Sequence, residues 1–135
     1  MPTPLPPEIF KAYDIRGVVG RTLTADIVRD IGRGLGSLAI ERGQRAVAVG
    51  RDGRLSGPEL ARALMEGLRT TGIDTIDVGC VPTPVVYFAA HELGCESCVA
   101  VTGSHNPPEY NGLKMVVAGE TLAGETIQDI RRRVD

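Results

Sequence analysis

Ser104, His105 and Lys114 place a hydroxyl, an imidazole and an ammonium within eleven residues of one another. Those types supply an oxygen nucleophile, a proton-transfer group and a cation, and a serine hydroxyl needs such help to react. They lie in Thr102-Gly103-Ser104-His105-Asn106-Pro107-Pro108, followed by Gly112-Leu113-Lys114. Gly103 opens backbone conformations closed to other residues. Pro107 and Pro108 stiffen the exit and forbid a helix there. Gly, Ser, Asn and Pro are also the ordinary residues of turns, and a Ser-His pair in a turn is usually only a turn. Lys114 is the one charge in Leu113-Lys114-Met115-Val116-Val117, which a solvated edge strand explains as readily as chemistry does. The combination of all three, with Asn106 and Tyr110 between, points to a built site.

The loop leaves an apolar run, Cys98-Val99-Ala100-Val101, which reads as a buried strand. Upstream, Thr24 is an N-cap for a helix over 25–42, with Ile27, Ile31, Leu35 and Leu38 on one face and Gly43 at its end. Gly32-Arg33-Gly34-Leu35-Gly36 mimics a nucleotide-binding loop but follows no strand, so its glycines are read as allowing close helix–sheet packing. Residues 45–50 form a first strand and Arg51-Asp52-Gly53-Arg54 a loop. Ser56-Gly57-Pro58-Glu59 reads as a capping box opening a second helix that Gly72 ends. Residues 73–79 form a second strand. Thr83-Pro84 caps a third helix that Gly94 ends. Residues 97–101 and 112–117 are the third and fourth strands, and 125–134 a last helix whose Arg131-Arg132-Arg133 is read as solvated. Residues 9–20 read as extended, with a short strand at 15–19.

Strands separated by helices are parallel, with right-handed crossovers. The fold expected is a three-layer α/β/α sandwich on a mixed four-stranded sheet of order 2-1-3-4, with strand 4 antiparallel. Strands 1 and 3 then flank a topological switch point, where ligands bind in such sheets. It lies beneath the Arg51-Asp52 loop and the Ser104 loop.

The Thr102–Pro107 and Gly112–Lys114 residues together resemble the phosphoserine loop of the α-D-phosphohexomutases. Phe10-Lys11-Ala12-Tyr13-Asp14-Ile15-Arg16-Gly17 and Val49-Gly50-Arg51-Asp52-Gly53-Arg54-Leu55-Ser56-Gly57 resemble two further signatures of that family, in its order. The likeness runs from about Ile9 to the end and is strongest to the bacterial phosphomannomutase/phosphoglucomutase branch. It implies a mutase that interconverts hexose 1-phosphate and hexose 6-phosphate through a phosphoserine and a hexose 1,6-bisphosphate. Ser104 would carry the phosphoryl group. Lys114 and Arg16 would neutralise it, and His105 or Lys114 would move the proton. Tyr13, Arg16, Asn106 and Lys114 would contact substrate. Mg²⁺ would bind Ser104 through its phosphate, its other ligands coming from an acidic loop in another domain. The resemblance makes residues 9–135 the first of four domains, behind a Pro-rich tail over 1–8, and expects no turnover from this domain alone. A phosphoglucosamine mutase domain is the sibling alternative. A non-catalytic α/β domain that binds phosphate or a partner is the alternative of another class. A serine hydrolase ranks last, because Pro107 blocks the helix its nucleophile elbow requires.

A chain of 135 residues can bury roughly two-thirds of its unfolded surface in one domain. A net charge of −2 gives no electrostatic case for nucleic acid or membrane. No apolar run approaches the roughly 20 residues a bilayer span needs, and the Pro-rich start is not a signal peptide, so a cytoplasmic location is expected. The partners implied are a phosphosugar and the enzyme's other domains. Cys80, Cys95 and Cys98 form no disulfide framework, and His91, Cys95 and Cys98 lack a fourth zinc ligand. Three reduced, mostly buried thiols are expected.

Overall fold

The structure is a computed structural model that describes residues 5–103 and 106–134. In chain order its elements are β1 (Ile15–Val18), α1 (Ala25–Glu41), β2 (Ala46–Arg51), α2 (Gly57–Thr70), β3 (Asp74–Cys80), α3 (Thr83–Glu92), β4 (Cys98–Val101), β5 (Tyr110–Val117), β6 (Glu120–Thr121) and α4 (Glu125–Val134). The sheet has six strands, not four. Its path is β1-β5-β4-β2-β3, with β6 paired to β5. The four strands expected from sequence lie side by side within it as β3-β2-β4-β5. Pairing is parallel for β2 with β3 and β4, and antiparallel for β5 with β4 and β1. The extra strands come from short stretches with little apolar periodicity. The short strand expected at 15–19 forms as β1 over Ile15–Val18 and pairs with the edge of β5, a position that the expected four-stranded sheet did not include.

Two apolar layers cover the sheet. Val47, Val49, Val99, Val101, Leu113, Met115 and Val117 face α1, α2 and α4 in one core. Ala48, Cys98 and Ala100 face Val86 and Ala90 of α3 in a smaller one. The small side chains over β2 and β4 are what let α3 sit close. Thr24 caps α1, its hydroxyl accepting from the Ile27 amide at 3.2 Å, and Gly43, Gly72 and Gly94 take positive φ just past their helices.

Several local expectations need correcting. The glycines of α1 serve helix–helix packing rather than helix–sheet packing. A β-carbon on Gly32 would meet Leu64 of α2, one on Gly34 would meet Ile130 and Val134 of α4, and one on Gly36 would meet Thr71. Gly67 of α2 completes the notch, its Cα facing the Arg29 carbonyl of α1. Arg29 then locks the pair with Asp26 at 2.8 Å and Glu66 at 3.0 Å. Ser56 makes no capping bond to α2, and Thr83 is the first residue of α3, behind Pro82. Arg133 is not a solvated charge: it joins α4 to Glu41 and Ser37 of α1. Nor is the start of the chain a free tail from Leu5 on, since Leu5, Ile9 and Phe10 are buried in the main core. Residues 1–4 lie outside the described residues.

The helix notch gives a direct test. Gly67→Ala should lower stability by about 1–3 kcal/mol, because the new methyl meets backbone that cannot swing away. The clash outweighs the roughly 1 kcal/mol that alanine gains over glycine in a helix. Urea unfolding should show a lower midpoint at unchanged slope. A midpoint equal to or above that of the parent chain would show that the helices are not so tightly apposed.

Candidate active site

The switch point forms where β2 and β4 run side by side and their following segments part. Val101 of β4 accepts from the Asp52 amide at 3.0 Å, which ties the end of one strand to the start of the other loop. The Asp52 carboxylate then reaches across. Its Oδ2 accepts from the Thr102 hydroxyl at 2.9 Å and from the Gly103 amide at 3.0 Å. Its Oδ1 accepts from the Arg54 amide at 3.1 Å. One carboxylate thus holds the entry to the Ser104 loop and shapes its own turn.

The exit of the loop is held from the same turn. The Arg54 guanidinium donates to the carbonyls of Asn106 at 2.7 Å, Pro107 at 2.7 Å and Tyr110 at 3.1 Å. Arg54 Nε lies 3.5 Å from Asp52 Oδ2. Ser56, relieved of capping, accepts from the side-chain amide of fully buried Asn111 at 2.8 Å. Gly103 is small for a different reason from the one its sequence suggests. Its φ is not positive. A β-carbon there would run into the Arg54 guanidinium, so the glycine makes room for that group.

Asn106 shapes the loop. Its backbone amide and its side-chain amide both donate to the Gly103 carbonyl, at 3.0 and 2.9 Å. Its Oδ1 accepts from Arg16 Nη1 at 3.4 Å, so it also turns Arg16 toward the loop. Ser104 and His105 lie outside the described residues. Their neighbours on both sides, Gly103 and Asn106, are the residues just placed.

Arg16 stands on β1 opposite Gly112 of β5, and Lys114 is two residues along β5. Side chains alternate along a strand, and Leu113, Met115 and Val117 point into the main core. Lys114 and Arg16 therefore share the opposite face of the sheet. The edge-strand explanation of Lys114 fails, because β5 has β1 and β4 on its two sides. A half-buried lysine in the middle of a sheet needs another reason. A hollow of about 330 Å³ is lined by Lys11, Tyr13, Asp14, Arg16 and Lys114. A second, of about 440 Å³, shares Lys11 and Arg16 and adds Asn106 and Tyr110. Lys11 went unassigned in the sequence reading. Its presence inside the Phe10–Gly17 motif, three residues from Asp14, was the available signal. Tyr13 stands at the rim, 78% exposed.

Three cations, Lys11, Arg16 and Lys114, against the two carboxylates Glu8 and Asp14, line two hollows that share Lys11 and Arg16, an excess of positive charge suited to holding an anion. The described residues include no group of three His, Cys, Asp or Glu that could hold a metal. Asp52, the carboxylate bonded to the loop entry, already accepts from the Thr102 hydroxyl and the Gly103 and Arg54 amides. The described side chains do not by themselves make a Mg²⁺ site. The cysteines are free: Cys95 and Cys98 are buried and Cys80 is exposed. Burial, with Cys95 beside it, pushes the Cys98 thiol up to about 12, which keeps it protonated and inert at neutral pH. No helix among the described residues is long and apolar enough to cross a membrane.

Comparison with known proteins bears on the family and the fold. The chain is 61% identical over 131 residues to a phosphomannomutase/phosphoglucomutase of Pseudomonas aeruginosa, covering 97% of this chain and 28% of that protein. It is 55% identical over 123 residues to a phosphoglucomutase of Neisseria gonorrhoeae, covering 91% of this chain and 27% of that protein. The chain therefore spans under a third of the length of these curated relatives. A solved structure of a phosphoglucomutase/phosphomannomutase family protein from Burkholderia thailandensis superposes with a TM-score of 0.89 at 57% identity, over 93% of this chain and 29% of that one. The family model for phosphoglucomutase/phosphomannomutase, alpha/beta/alpha domain I, matches residues 7–135. On the strength of that match, this chain belongs to the phosphoglucomutase/phosphomannomutase family, as its domain I.

Proposed function

We propose that this chain is the phosphoserine domain of a phosphosugar mutase that interconverts the 1-phosphates and 6-phosphates of mannose and glucose in the cytoplasm. In this reading residues 9–135 work with further domains of a longer polypeptide and do not turn over alone. The observation that carries it is that Lys11 and Arg16 line two hollows, one completed by Lys114 and the other by Asn106, Pro107 and Tyr110 of the anchored loop exit.

The chemistry follows from the residue types. A phosphoserine carries about −1.5 to −2 charges near neutral pH, and phosphoryl transfer depends chiefly on positioning and charge neutralisation. Ser104 holds the phosphoryl group. The free C1 or C6 hydroxyl of the bound hexose phosphate attacks phosphorus. A new P–O bond forms to the sugar as the P–O bond to Ser104 breaks. The sugar hydroxyl gives its proton to whichever of His105 and Lys114 acts as the unprotonated base, and that group returns the proton to the Ser104 oxygen. The 1,6-bisphosphate turns over in the site and returns its other phosphoryl group to Ser104 by the reverse steps. Arg16 and Lys114 draw charge off the group in transit, Tyr13 meets the sugar at the rim, and Asn106 orients Arg16. The Mg²⁺ that the family resemblance implies finds no ligand set among the described side chains, and no step here passes through it.

Intact mass and peptide mapping of the full-length protein should find a single phosphoryl adduct, on Ser104. A Ser104 that is unmodified and takes no phosphate from a hexose 1,6-bisphosphate would remove the mutase reading.

A further inference from the structure

We infer that Arg54, acting with Asp52, is the positioning residue of the phosphoryl-carrying loop. This rests on the reading of Ser104 as the phosphoryl carrier. Asp52 holds the entry through Thr102 and Gly103. Arg54 holds the exit through the Asn106, Pro107 and Tyr110 carbonyls. The two are ion-paired across 3.5 Å. The Ser104–His105 dipeptide thus joins two residues, Gly103 and Asn106, that this side-chain pair holds from the neighbouring turn, in addition to the two bonds from Asn106 to the Gly103 carbonyl.

The residue types explain why a brace is needed. Pro107 and Pro108 have no N–H, so neither can donate to a neighbouring strand. The backbone supplies the exit with the Tyr110 amide on the Pro107 carbonyl at 3.0 Å and the Val19 amide on the Glu109 carbonyl at 2.8 Å, and a side chain adds the remaining donors. A guanidinium is planar and presents five N–H groups in a fixed fork, which suits several carbonyls at once. An ammonium on a flexible stem does not replace it.

Two other roles for Arg54 fit less well. As a ligand for the substrate phosphate it would line the hollows around Arg16, and it lines neither. It faces a separate recess with Val19, Leu55 and Glu109, and its Nη donors are engaged by the loop. As an ordinary surface charge it would be solvated, yet its side chain is only 17% exposed.

The test is made in the full-length mutase with Arg54→Gln, Arg54→Lys and, as a control, Ser104→Ala. Arg54→Gln should lower kcat by about tenfold to 10²-fold, the order expected when a reacting group is misplaced by an ångström or so, with KM changed less than about twofold. Amide hydrogen exchange at Gly103 and Asn106 should quicken by about tenfold while α1 and α2 keep their protection. Arg54→Lys retains the charge and should recover only part of kcat; if Arg54→Gln does not fold, this variant decides the matter. A raised KM at unchanged kcat would assign Arg54 to substrate binding and overturn the inference, as would unchanged exchange in the loop. Ser104→Ala should leave the loop's exchange as it is. If the parent protein shows no mutase turnover, the proposed function fails but the exchange comparison still judges the brace: quickened exchange upholds it and unchanged exchange overturns it.

Discussion

Ser104→Ala in the full-length enzyme should abolish mutase turnover to within the limits of a coupled assay, a loss of at least about 10³-fold, while leaving the melting temperature nearly unchanged. The first half follows from the proposed chemistry. Removing the atom that bears the phosphoryl group leaves no covalent route, and substrate positioning by the remaining residues supplies only a residual rate. The second half follows from how the loop is held. The bonds described at its two ends use the Thr102 hydroxyl, the Gly103 amide, the Asn106 amide and the Asn106, Pro107 and Tyr110 carbonyls. All of these bonds belong to other residues and survive truncation of the side chain at 104. A substitution that keeps such anchors is expected to shift stability by less than about 0.5 kcal/mol. A variant with parental turnover would refute the assignment of the phosphoryl group to this serine. A variant that melts far earlier would mean that the hydroxyl is a structural partner of the loop.

What the sequence made legible here tracks the range of the interaction that decides each feature. Period and caps are local, so α1 was readable from Ile27, Ile31, Leu35 and Leu38 and from Thr24 at its start. The switch point was readable because alternating strands and helices leave few chiral routes, and Asp52 does meet Thr102 and Gly103 there. What escaped depends on tertiary neighbours. Ser56 has the pattern of a cap, and its hydroxyl is taken by Asn111, which lies 55 residues away. Gly32, Gly34 and Gly36 announce close packing but not against which partner, and the partner is α2 or α4. Gly103 announces backbone freedom, and the structure uses its missing side chain instead. The site divides in the same way. Arg16, Tyr13 and Lys114 were nameable from motif likeness. Lys11, Asp52 and Arg54 stood inside the same motifs, and only their three-dimensional company gives them roles.

Lys114 separates charge from proton transfer, and two substitutions should show it. Lys114→Met keeps the length of the stem and removes the ammonium. Turnover should fall by about 10²–10³-fold, the usual cost of deleting one preorganised group from a site where charge develops. Folding should survive. The side chain at 114 is half-buried on the face of the sheet away from α1 and α2, its strand keeps its backbone pairing to Ala100 of β4, and Met suits such a surface. Lys114→Arg retains the positive charge but cannot give up a proton near neutral pH. If Lys114 only neutralises the phosphoryl group beside Arg16, the arginine variant should recover most of the lost rate, and His105 is left to move the proton. If Lys114 takes the proton from the sugar hydroxyl, arginine should be as slow as methionine, and rate against pH should lose the limb that Lys114 supplies. Parental turnover in Lys114→Met would remove this residue from the reaction. Loss of the folded state, read by circular dichroism, would instead return it to the sheet as a structural residue. The first two outcomes divide the work between an imidazole and an ammonium that stand nine residues apart in sequence.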